Sequence, residues 1–125
     1  MKIKLSIPII VEKVRVQGPG AARHIDMILD TGARFSSLSW ETLKDIGYDP
    51  ASTEDRVKIV TANGVIEAPI IKVKQLCVEK MCVENTEVIA LAIPELAEVD
   101  GLLGLSYLCN FKTIIDYRKN VLEIL

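Results

Sequence analysis

The chain offers little to a polyanion, a bilayer or a metal ion. Fifteen Lys+Arg are outnumbered by seventeen Asp+Glu, for a formal charge of -2, so no net positive field gathers nucleic acid. The longest apolar runs, Ser6 to Val11 and Val88 to Pro94, fall well short of the roughly 20 residues that span a bilayer. Two lysines open the chain, but Glu12, Lys13 and Arg15 follow at once, which prevents a signal-peptide core. A soluble, cytoplasmic protein with no nucleic-acid or membrane partner is expected. His24 is the only histidine and there are three cysteines, Cys77, Cys82 and Cys109. The Cys77-x4-Cys82 spacing is too loose for a redox CxxC and lacks a fourth zinc ligand, so no metal is expected. Gly18-Pro19-Gly20 lacks the spacing and the lysine of a phosphate loop.

What remains is enough for a core. In 125 residues, 50% are hydrophobic and 26% charged, a composition that folds as a single domain over 1–125. No repeat, low-complexity stretch or linker divides it. Lys2 to Ile7 alternates polar with apolar, the period of a half-buried strand, and Pro8 keeps it at an edge or bends it. Val11 to Val16 alternates again, and Gln17-Gly18-Pro19-Gly20 turns the chain into His24 to Leu29. Ser39 to Gly47 carries a capping serine, apolar residues at helical spacing with Trp40 set to pack on the sheet, and a terminating glycine, so a short helix is expected.

Two β-rich runs, Val57 to Thr61 and Val65 to Val73, flank Asn63-Gly64, a strong hairpin signal. A second hairpin is expected around Glu79-Lys80, then a strand from Thr86 to Ile93. Gly101 to Leu108 has an apolar face at helical spacing, and Thr113 to Asp116 with Val121 to Leu125 forms a C-terminal hairpin. The fold class is mostly β: a small closed or sandwiched β fold with one or two short helices. Cys109 reads as a buried thiol. If Glu79-Lys80 is a two-residue turn, Cys77 and Cys82 face each other on paired strands; a disulfide fits there, whereas a reducing cytosol works against it.

Chemistry concentrates at Asp30-Thr31-Gly32, directly behind the apolar run Ile25, Met27, Ile28, Leu29. Alone the tripeptide is a strand ending in a turn. Here Ala33 follows it, the Asn63-Gly64 hairpin comes next, and Leu102-Leu103-Gly104 lies about seventy residues on. In that order the sequence resembles the retropepsin-like aspartic proteases, the single-lobe relatives of pepsin, along essentially its whole length. The matching segments are Ile28-Leu29-Asp30-Thr31-Gly32-Ala33, Thr61-Ala62-Asn63-Gly64-Val65, Leu102-Leu103-Gly104, and Ile114-Ile115-Asp116 onward to Val121-Leu122-Glu123-Ile124.

The resemblance implies a closed β-barrel-like aspartic protease fold and hydrolysis of polypeptide substrates by two carboxylates sharing one proton. The chain has one Asp-Thr-Gly and no second, so the implied enzyme is a homodimer contributing Asp30 from each subunit, with no cofactor. Thr31 would reach across to the partner's backbone, Gly32 would let substrate backbone approach, and Leu103-Gly104 would pack beneath the Asp loop. Ala62, Asn63, Gly64 and Val65 would form a flap tip over an extended peptide bound as an added strand. Ala33, Val99 and Leu102 would line apolar subsites, and strands at Met1 to Leu5 and Val121 to Leu125 would build an intersubunit sheet.

Retroviral members usually follow the Asp loop with an Asp and the hydrophobic-hydrophobic-Gly with an Arg that pairs with it. Here those positions are Arg34 and Leu105. Losing both charges together leaves neither buried and unpaired, which marks a non-viral member. Arg34, at the groove edge, is expected to pair with Glu98 or Asp100, to meet an acidic substrate residue, or simply to be solvated. His24 reads as a surface strand residue. A competing reading keeps the dimeric fold as a catalytically silent peptide-binding or assembly module. The intact Asp30-Thr31-Gly32 speaks against it, since a binding module has no need of two carboxylates that repel each other.

Overall fold

Val11, Val14 and Val16 cannot all face one side of a regular strand, yet all three are fully buried. The chain reconciles them with an extra residue. Strand β2 (Ile10–Gln17) bulges between Val11 and Val14, where Lys13 takes φ 55° and its N–H donates to the Asp26 carboxylate at 3.1 Å. A bulge shifts the inward set by one, so the spacing of three becomes a contiguous core face. A computed structural model of the chain describes residues 1–125, the side chain of Glu95 excepted.

Before β2 lies a short β1 (Lys2–Lys4), and after it comes β3 (Ala22–Leu29). The following β4 (Ser36–Ser39) runs into helix α1 (Trp40–Asp45). Ser39 caps this helix, its Oγ accepting from Thr42 N–H at 3.1 Å, and Gly47 at φ +106° ends it, both as the sequence leads one to expect. Trp40 packs against the core and Leu43 and Ile46 are buried in it. The first expected hairpin is β5 (Arg56–Thr61) with β6 (Gly64–Val78). Its turn residues are Ala62 and Asn63, one step earlier than Asn63-Gly64, because Thr61 pairs with Gly64 and only Gly64, at φ +118°, takes the left-handed conformation there.

Strand β7 (Met81–Leu91) returns along β6 around Glu79-Lys80, and Cys77 and Cys82, in register, are joined by a disulfide. Gly101 to Leu108 is not one helix. Gly101–Leu103 is a strand, β8, and only Leu105–Leu108 is helical, α2. A Cβ at Gly101 would collide with the Ser37 carbonyl, so this segment is held extended between its neighbours. Cys109 is exposed rather than buried: α2 is four residues long, Tyr107 and Leu108 take its inner face, and Cys109 falls at the cap.

Six strands, in the order β2-β3-β8-β4-β7-β6, close into a barrel through the additional β2–β6 pairing. The β5–β6 hairpin projects from it. The remaining strands, β9 (Thr113–Asp116) and β10 (Val121–Ile124), form a separate sheet in the order β1-β10-β9. The terminal strands pair within the chain, Lys2 with Glu123 and Ile3 with Leu122. Leu122 and Ile124 are fully buried by this arrangement.

Candidate active site

Parallel pairing of β3 with β8 sets the site. Met27, Ile28 and Leu29 run beside Gly101, Leu102 and Leu103, so both strands release their next residues, Asp30 and Gly104, at the same end of the barrel. Asp30 N–H donates to the Leu103 carbonyl at 2.9 Å and Leu105 N–H to the Ala33 carbonyl at 2.8 Å. Gly104 fits beneath the loop because it has no side chain: a Cβ there would lie 2.6 Å from the Phe35 carbonyl oxygen and 2.7 Å from that of Ala33. Leu103, fully buried, anchors the strand. The expected seating of the Asp loop on Leu103-Gly104 is thus present in the geometry.

Asp30 is half-buried, and its Oδ1 accepts from Gly32 N–H at 3.0 Å. That bond curls the loop back on itself and orients the carboxylate. It faces a cleft of 480 Å³ whose walls include Gly32, Ala33, Arg34 and Phe35 on the loop side, Val57 to Thr61 of β5 on the other, and Ser37, Ile89, Leu91 and Leu102 between. A half-buried carboxylate beside an apolar cleft can take a proton from a bound water and return it to a leaving group.

Of the residues singled out from sequence, Asp30, Gly32, Ala33, Arg34 and Leu102 meet in this cleft. Thr31 is exposed at the loop tip. Ala62, Asn63, Gly64 and Val65 form the exposed end of the hairpin whose β5 strand walls the cleft. Val99 does not join them. It is buried beside a separate 270 Å³ hollow with Ser39, Glu41, Ile93, Glu98 and Asp100, since the β8 strand enters the barrel only two residues later. Arg34 pairs with neither Glu98 nor Asp100 among the described residues; its guanidinium stands 5.3 Å from the centre of the Phe35 ring, a cation–π distance.

Several site residues were not legible beforehand. Ser36 Oγ accepts from Gly104 N–H at 3.0 Å, and Ser36 N–H donates to Ser106 Oγ at 2.8 Å, so β4 is stitched to the segment under the Asp loop. Phe35 and Ser37 line the cleft itself. The alternation of half-buried Val57 and Ile59 with exposed Lys58 along β5 was the one available signal for that wall. A larger hollow of 760 Å³, lined by Tyr48, Asp49, Asp55, Arg56, Lys72 and Glu87 among others, lies apart from the Asp loop.

Residues 12–107 match the family model described as aspartyl protease. The chain superposes, with a TM-score of 0.71 and 25% identity, on the crystal structure of a retropepsin-like aspartic protease from Rickettsia conorii, covering 100% of this chain and 97% of that one. It is also 29% identical over 102 residues to a Sinorhizobium protein described as an uncharacterized protein in the cobV 5′ region. That match takes in 82% of this chain but spans only 42% of the Sinorhizobium protein. A closed barrel that presents one Asp-Thr-Gly loop, together with a family match over most of its length, leads to one conclusion: this chain belongs to the aspartyl protease family, as a non-viral, retropepsin-like member.

Proposed function

We propose that the chain is one subunit of a homodimeric aspartic endopeptidase. The observation that carries this is the Asp30 carboxylate lining an apolar cleft, oriented by the Gly32 N–H of its own loop while the Asp30 backbone N–H is held by the Leu103 carbonyl. A single carboxylate cannot at once draw a proton from water and donate one to the scissile carbonyl. Two of them sharing one proton can, the pair titrating as a unit because like charges a few Å apart do not both ionise. With one Asp-Thr-Gly per chain, the second carboxylate is the partner's, across a two-fold axis. In this reading Thr31 bridges the two loops, a role its exposure at the loop tip supports. The exposed tip from Ala62 to Val65 serves as a flap, closing on an extended peptide added as a strand beside β5.

A diverse peptide pool read by mass spectrometry between acidic and neutral pH tests the reading. Cuts between apolar residues that disappear in Asp30→Asn, and whose rate per subunit falls on dilution, are the expected result. Cleavage that persists in Asp30→Asn sinks the aspartic mechanism, and peptide binding without cleavage at any pH identifies a silent binding module.

A further inference from the structure

Strand β4 gives the cleft a floor that is not uniformly apolar. Leu38 is fully buried in the core and the Ser36 hydroxyl bonds to Gly104, so by strand alternation Ser37 faces the other way, toward the cleft it lines. In register, Ser37 lies between Ile89 of β7 and Leu102 of β8, and both of these line the cleft too. Ser37 is 1% exposed, and its Oγ has no hydrogen-bond partner among the described residues. A buried hydroxyl without a partner is costly, and a ligand group that supplies one recovers that cost.

Arg34 lines the same cleft, free of any ion pair among the described residues and steadied against Phe35. The chain as a whole is negative, yet the ionisable residues lining the cleft are one acid, Asp30, against Arg34 and Lys58. Lys58 is exposed between half-buried Val57 and Ile59, so it lies on the outer face of β5 and contributes only to the field. A hydroxyl between two aliphatic side chains, in a cleft that a guanidinium also lines, suits a side chain with an apolar stem and an anionic head.

Resting on the protease reading, we infer that the Ser37–Arg34 subsite selects a glutamate side chain in the peptide. Its stem lies between Ile89 and Leu102, and its carboxylate meets the Ser37 hydroxyl and the Arg34 guanidinium.

The test uses wild-type protein and fluorescent peptides in which the bond between two apolar residues is replaced by a reduced, non-hydrolysable one. Each flanking position in turn holds Glu, Gln or Leu, and binding is read by anisotropy. At one position Glu binds about tenfold more tightly than Gln, and more so at low salt. Arg34→Gln brings the Glu/Gln ratio to within about twofold, Ser37→Ala weakens Glu and Gln relative to Leu, and Lys58→Gln, which removes only a field contribution, lowers the Glu/Gln ratio by no more than about twofold. A Glu preference at no position, its survival in Arg34→Gln, or failure of every peptide to bind overturns the subsite. The intact peptides judge the protease reading separately: cutting without Glu preference overturns only the subsite, and Glu-selective binding without cutting upholds the subsite while removing the catalysis.

Discussion

Gly104 is the point where the Asp loop and the strand beneath it approach most closely, and a single methyl group there must displace two backbone carbonyls rather than a flexible side chain. Gly104→Ala should therefore cost about 1–3 kcal/mol of stability, the range for overpacking, measured as a lower urea midpoint. Ser36→Ala removes the acceptor of the Gly104 N–H, which is buried, and should cost a similar amount, about 1–3 kcal/mol. Tyr107 acts at longer range. Its ring is fully buried and its hydroxyl donates to the Met81 carbonyl at 2.6 Å, tying α2 to the end of β7. Burial pushes its phenol up to about 12, against a smaller opposing pull from the Val78 backbone. The folded state thus holds this proton more tightly than the unfolded chain, whose tyrosine titrates near 10. The stabilisation is complete below pH 10 and is lost as the pH rises through 12. Denaturation across that window should show wild type losing stability more steeply than Tyr107→Phe; parallel slopes would contradict the assignment.

At the level of elements, what could be read from the sequence was local. The Ser39 cap with the Gly47 stop, the Glu79-Lys80 turn and the order of the Asp loop, hairpin and Leu-Leu-Gly segment depend on residues close together in the chain, and each is found where expected. What escaped depends on distant partners. Ser36-Ser37-Leu38-Ser39 has a loop-like composition, and becomes a central strand only because β7 and β8 flank it and Gly104 and Ser106 satisfy Ser36. Gly101 to Leu103 carries helical spacing but is pinned as a strand by backbone contact with Ser37. The Asp30 position in the cleft was legible from its tripeptide, whereas the position of Val99 beside a separate hollow was not, because a linear order does not say which side of the barrel a loop crosses. The β6–β7 hairpin carries its own cross-link: Cys77–Cys82 closes a very short loop, for which chain entropy gives about 2 kcal/mol. Cys82 is exposed while Cys77 is buried, so reductant reaches the bridge from one side. Reduction should lower the unfolding free energy by about that amount without changing the strand content seen by circular dichroism.

For the whole molecule, the pairing of β1 with β10 changes what truncation means. Leu122 and Ile124 are fully buried and β10 is the partner of both β1 and β9. Cutting a buried Leu or Ile back to Ala alone costs about 2–5 kcal/mol, against a total stability of about 5–15 kcal/mol for an ordinary domain. Removing Val121–Leu125 should therefore abolish cooperative thermal unfolding rather than release a folded monomer; a sharp transition near the wild-type temperature would refute this. Strand β6 draws a different boundary. Its outer residues, Gly64 to Glu67, pair only with β5 and are exposed, whereas from Ala68 onward it enters the barrel, with Val73 and Leu76 fully buried. A two-stranded ribbon is marginal by itself, while a closed barrel opens only near global unfolding. One uninterrupted strand thus belongs to two cooperative units, and amide deuterium uptake should fall along it from minutes or faster at the tip to the slowest class beyond Ile70, with the step in protection falling near Pro69.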